Sequence, residues 1–172
     1  LFNAQHVGLS LLAPENDALE FIGNSQDGWS DQLGKANRIS LSDDPASRQV
    51  IESGKAVLVA DAMNNPLSLG SQYLLRKHRI QTRLVVPLLS RGAAIGTLNI
   101  DFEKAGQNVS AAEMELAETI AGIIATVIEN SRLLTLEQQQ TQYFEALVRK
   151  IPAAVVTIDL QARIVSWNPA AE

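Results

Sequence analysis

The sequence predicts an α+β fold, and three observations in its 172 residues point there. Two pairs of short apolar, β-leaning runs each flank a cluster of turn formers, which is how antiparallel hairpins read. A helix led by a proline and closed by a glycine lies between those pairs. After the second pair, a capping signature opens a helix that meets no proline until Pro152.

In chain order, HVGLSLLA (His6–Ala13) and ALEFIGN (Ala18–Asn24) are separated by PEND, where Pro14, Asn16 and Asp17 favour a turn. A polar, Gly-containing stretch runs to about Ser40, with Trp29 as its large apolar anchor. In DDPASRQVIESG, Asp44 can cap, Pro45 fits the first helical position and Gly54 suits a left-handed helix end. AVLVA (Ala56–Ala60) reads as a third strand ended by DAMNNP, and a short helix follows through SQYLLRKH. RLVVPLLS and AAIGTLNID, two apolar arms around Arg91-Gly92, form the second hairpin. Ser110 and Glu113 make an S-x-x-E capping box. The helix it opens is expected from Ala111 to about Lys150, on the order of 60 Å at ~1.5 Å per residue. That is longer than a domain of this size needs, so the helix is expected to act outside its own globule.

Composition narrows the function. Apolar residues make up 46% of the chain, enough for a core without metal or disulfide staples. There is no cysteine, which removes thiol nucleophiles, thiolate metal sites and thioether-linked chromophores. The net charge of −5 comes with no basic tract, so no nucleic-acid partner is expected. No apolar run approaches the roughly 20 residues that span a bilayer. A soluble, cytoplasmic module is the expectation.

The long helix carries a seven-residue seam. With Ile120, Val127, Leu134, Thr141 and Val148 at position a, position d holds Leu116, Ile123, Asn130, Glu137, Phe144 and Ile151. A second stripe (Ala117, Ile124, Ile128) widens the apolar face in the first half, as expected where the helix also covers a sheet. Beyond Leu136 only the seam stays apolar. These features predict a parallel homodimer through 111–150. Asn130, Glu137 and Thr141 weaken the seam while fixing its register, which suits a transmitter.

Three blocks carry a resemblance. SRQVIESGKAVLVADAMNNP (Ser47–Pro66), HRIQTRLVVPLLSRGAAIGTLNID (His78–Asp101) and VSAAEMELAETIAGIIATVIENSRL (Val109–Leu133) resemble, in order, the GAF family of small-molecule sensor domains. The resemblance implies a six-stranded antiparallel sheet with helices on one face and a ligand pocket on the other, over residues 1–133. Arg79 and Thr82 stand where GAF sequences often show Gly and Ser. FEALVRKIPAAVVTIDLQARIVSWNPAAE (Phe144–Glu172) resembles the entry of a PAS domain, with 134–150 as a coiled-coil connection and 151–172 as a truncated first hairpin. So short a tail is expected to be poorly ordered or to borrow a neighbour's edge. The arrangement implies a piece of a GAF–PAS signalling protein of the sensor histidine kinase or nucleotide cyclase type.

By that resemblance the ligand pocket would draw on Asp61, Met63, Tyr73, Arg76, His78, Arg79, Thr82 and Arg83. The cations in LLRKHRIQTR could meet a phosphate or carboxylate, or could simply sit where a helix C-terminus favours positive charge. His78 as a haem ligand is not expected, and Asp44 before Pro45 reads as a cap in place of a metal ligand. Cyclic-nucleotide binding is not expected either. Phe102-Glu103 stands where the family's NK pair would fall, Val109 replaces its Phe, and Glu113-Met114 replaces the acidic pair. Covalent bilin attachment and the cysteine chemistry of GAF-fold methionine sulfoxide reductases are excluded by the lack of Cys. No nucleophile–base pair, metal-ligand spacing or phosphate loop is present, so no catalytic residue is assigned and enzymatic activity is not expected. An unidentified small molecule is the expected ligand. The alternative is a ligand-free dimerisation scaffold with a side-chain-filled pocket.

Overall fold

The computed structural model describes residues 4–24 and 38–171. Trp29 lies outside the described residues. The chain divides into two compact units, Leu1–Val127 and Ile128–Glu172.

The first unit is built on a six-stranded antiparallel sheet in the order β3-β2-β1-β6-β5-β4. β1 (His6–Leu12) and β2 (Ala18–Asn24) form the first expected hairpin, with Asn16 at φ 59° in its turn. β3 (Arg38–Ser40) adds to β2 through Ala18–Ser40, Leu19–Ile39 and Glu20–Arg38, a strand that the polar sequence around it conceals. β5 (Thr82–Ser90) and β6 (Ala93–Phe102) form the second hairpin. Its turn residues Arg91 and Gly92 both have positive φ, 52° and 84°, the twist that matches two antiparallel strands. β4 (Val57–Val59) closes the edge against β5.

Helix α1 (Pro45–Ser53) is delimited as its sequence dictates. The Asp44 carboxylate accepts from the Ser47 amide and hydroxyl, and Gly54 at φ 65° returns its N–H to the Val50 carbonyl. After β4, Asn65 caps a 3₁₀ helix over Pro66–Ser71, which runs into α2 (Gln72–Lys77). α1 and α2 lie on one face of the sheet, where Ala46, Val50, Val59, Ala62, Leu75, Ile80 and Val85 form an apolar cluster. Strand alternation turns Leu84, Val86, Leu88, Leu98, Ile100 and Phe102 to the other face, and all are buried. The stripe Ala117, Ala121 and Ala125 of α3 (Ala111–Lys150) is fully buried as well. Of the expected inward stripe, Ala117 is there; Ala121 and Ala125 stand where Ile124 and Ile128 were expected, and those two are half-buried. Methyl groups at i, i+4 and i+8 let a helix backbone approach its neighbour closely.

The second unit holds the rest of α3 and a two-stranded sheet, β7 (Val156–Ile158) with β8 (Ile164–Trp167), followed by a 3₁₀ turn at Pro169–Ala171. The two strands of the tail pair with each other. Asp159 holds the turn by accepting from the Gln161 and Arg163 amides and from Arg163 Nε at 2.8 Å. Thr157 and Ser166 join hydroxyls across the strands at 2.7 Å.

Candidate functional site

The register of four strands assembles a polar row that no single segment announces. Val59 pairs with Arg83, Arg83 with Asp101, and Asp101 with His6, so these side chains stand side by side on the face covered by α1. Arg83 Nε is 3.3 Å from Asp101 Oδ1, and its Nη2 donates to Asn99 Oδ1 at 3.2 Å. Above it, Asp44 Oδ2 lies 3.9 Å from Arg83 Nη1. Asp44 thus caps α1 and faces the sheet's guanidinium at once. His6 meets the His78 ring edge-on, centroids 5.1 Å apart.

This layer is buried and only partly satisfied. His6 Nε2, Ser68 Oγ, Ser71 Oγ, Arg83 Nη1 and Thr97 Oγ1 are enclosed and have no hydrogen-bond partner. Thr97 is two pleats along β6 from Asp101, on the same face. Ser68 and Ser71 come from the 3₁₀ helix that packs beside α1. Unpaired buried polar atoms cost stability, and native interiors pair nearly all of them. Burial pushes the Asp101 carboxyl above its ordinary value, and the charges of Arg83 and His6 pull it back.

The expected pocket residues divide. Arg83 lies in the row and His78 touches it through His6. Met63 is half-buried against the apolar cluster. Thr82 faces the opposite side of the sheet, where its hydroxyl lies 2.9 Å from the Ala60 carbonyl and 2.8 Å from that of Lys104, tying two loops together. Asp61 is exposed and accepts from Asn64 Nδ2 at 3.0 and 3.2 Å. Tyr73 (75% exposed), Arg76 and Arg79 point to solvent at the surface of α2 and its end. Arg79 has φ 54°, which explains why a glycine suits that position. Asp101, Asn99, Thr97, Ser68 and Ser71 were not singled out. For Thr97, Asn99 and Asp101 the signal is a polar residue at alternate positions of the otherwise apolar β6; Ser68 and Ser71 lie in the 3₁₀ helix and carry no such pattern. Two open clefts, of about 500 Å³ beside Ile51, Gly54 and Gly92 and about 410 Å³ beside Gln5, Phe102 and Gln107, lie apart from the row. Among the described residues no group of three or more His, Asp or Glu is placed to hold a metal ion, and no helix is long and apolar enough to cross a membrane.

On α3, the seam residues Ile123, Val127, Leu134 and Phe144 are 60–64% exposed, Asn130, Glu137 and Thr141 are exposed, and Leu116, Ile120 and Val148 are half-buried. The capping box is formed: Glu113 accepts from the Ser110 amide and hydroxyl, and its own N–H donates to Ser110 Oγ.

A family model for the GAF domain matches residues 1–129. The fold is similar to the GAF domain of a two-component sensor histidine kinase from Bacillus halodurans, at TM-score 0.65 and 18% identity over 78% of this chain and 88% of that one. It is also similar to the GAF domain of a phosphoenolpyruvate-protein phosphotransferase from Coxiella burnetii (TM-score 0.64, 17%, covering 77% and 76%). A third is the free methionine-R-sulfoxide reductase of Neisseria meningitidis, solved with its substrate (TM-score 0.60, 24%, covering 77% and 72%). At these identities the likenesses show the fold. No curated protein matches the chain.

Proposed function

The chain belongs to the GAF domain family, and on that premise we propose that it is a regulatory module sensing a small molecule in the polar layer between the sheet and α1. The observation that carries this is the set of five enclosed polar atoms without a hydrogen bond, two of which, Arg83 Nη1 and His6 Nε2, flank Asp101. A ligand there touches Asp44 and thereby the start of α1. The state is passed along α3, paired in parallel with a second copy, to a PAS domain and then to a kinase or cyclase output. Exposed apolar residues at seven-residue spacing support the pairing. The apolar side of the hairpin, with Val156, Ile158, Ile164 and Trp167 all exposed, together with the PAS-like wording of 144–172, supports the hand-over.

We read the chain as non-enzymatic and cytoplasmic. The sulfoxide reductases among its structural neighbours act on a substrate that must receive two electrons, and this chain has no thiol to supply them. A second reading, the ligand-free scaffold, is favoured by one fact: Asp44, Asp101 and Asn99 already surround Arg83.

Thermal unfolding against a panel of polar metabolites separates the two. A ligand at a hundredfold its Kd adds about 2.7 kcal/mol to the wild-type stability. Ser71→Ala, which removes an unpartnered hydroxyl, keeps the unliganded stability and blunts that gain. No shift from any compound favours the scaffold.

A further inference from the structure

Asn168 is 2% exposed, the one buried residue among those described in the second unit. Every polar group it has is used. Its Nδ2 donates to the carbonyls of Val148 (3.2 Å), Ile151 (3.2 Å) and Ala153 (3.0 Å), while its Oδ1 accepts from the Val155 amide at 2.9 Å. Its backbone N–H reaches the Val155 carbonyl at 3.0 Å, and its carbonyl accepts from Ala171.

The reason lies in Pro152. A helix carbonyl normally receives the amide four residues on, and for Val148 that position is Pro152, which has no N–H. Pro152 stops α3 and leaves the Val148 carbonyl short of a donor; the Ile151 amide approaches it only at 3.4 Å. Asn168, twenty residues downstream, supplies the missing donor. Two amide hydrogens shared over three carbonyls close the helix end, and the same side chain fixes the strand entry at Val155. We propose that Asn168 is a clasp between the end of α3 and the β7–β8 hairpin, a positioning residue that makes the last helical turn and the hairpin move as one body. A shift of that turn then arrives at β8 undiminished. The transmitting role rests on α3 carrying the signal, as proposed above; the clasp itself does not.

Because the chain has no cysteine, a nitroxide pair introduced by Gln142→Cys and Gln161→Cys reports on the clasp alone. Both sites are exposed. Labelled protein is diluted with unlabelled protein so that only pairs within one chain are read. The expected result is a narrow distance distribution in the otherwise wild-type chain. Asn168→Ala broadens it and speeds amide exchange at Val155 by about tenfold or more. Asn168→Asp, which keeps the acceptor but sets a carboxylate against three carbonyls, behaves like the alanine variant. Exchange in β5 and β6 stays unchanged in both, showing that the first unit is folded. A distribution already broad before substitution overturns the clasp, and so do variants whose width and Val155 exchange match the parent within twofold. Both readouts are taken without ligand, so failure of the sensing proposal leaves their meaning intact.

Discussion

Arg83 and Asp101 face each other across β5 and β6, Nε to Oδ1 at 3.3 Å, both buried at the open end of that hairpin. Asp44 approaches the same guanidinium from α1 at 3.9 Å. One cation therefore answers two buried carboxylates, from the sheet and from the helix above it. Replacing Arg83 by Met leaves both carboxylates enclosed without a cation. The expected loss is about 3–5 kcal/mol of unfolding free energy, read from urea denaturation. A loss under about 1 kcal/mol would show that the pair is dispensable.

The same burial sets a pH dependence. Asp101 is held above its ordinary value of 3.8, chiefly by desolvation. A group raised on folding contributes stability that is complete below its unfolded value and is lost as pH rises through the folded one. The Tm of the wild type minus that of Asp101→Asn is therefore expected to fall as pH increases upward from about 4. Subtraction removes the carboxylates common to both proteins. A difference that grows with pH contradicts the desolvated Asp101.

On α3, Ile123 and Val127 are 61% and 62% exposed and lie on the seven-residue seam. Glutamate at both positions is expected to convert a dimer to a monomer in light scattering. The stability of the sheet is expected to change little, since neither side chain is in the core. A variant that remained dimeric would place the contact elsewhere.

Arg79 occupies the left-handed region just past α2, where its N–H reaches the Arg76 carbonyl at 3.3 Å and the Ile80 N–H reaches that of Leu75 at 2.8 Å. A side chain with a Cβ is strained there, so Arg79→Gly is expected to raise stability by about 1 kcal/mol. Because Arg79 is exposed and outside the polar row, ligand affinity is expected to stay the same. Isothermal titration with any compound found in the thermal panel checks the second half.

Local chemistry was legible in the sequence; convergence was not. Asp44-Pro45 through Gly54, Arg91-Gly92 and Ser110 with Glu113 act within a few residues, so each could be read from its own segment. β3 could not, because Arg38–Ser40 is a strand only by virtue of pairing with β2. The charged tract of residues 76–83 holds Arg83, which lies in the polar row, and His78, which meets His6. It also offered Arg76 and Arg79, which α2 and its left-handed end turn to solvent. His6 and Asp101 are 95 positions apart and meet only through the β1–β6 register. Of the alanine stripe of α3 only Ala117 was read, since Ile124 and Ile128 outweigh Ala121 and Ala125 in any hydrophobic pattern.

A sensing role requires a small molecule to complete the polar layer. Native mass spectrometry of freshly purified protein, run beside its denatured mass, tests this most directly. The predicted result is a dimer carrying an excess mass that disappears on denaturation, and that is reduced in Thr97→Val and Ser71→Ala. A dimer of twice the chain mass, with no excess in the wild type, contradicts the sensing proposal and leaves the scaffold.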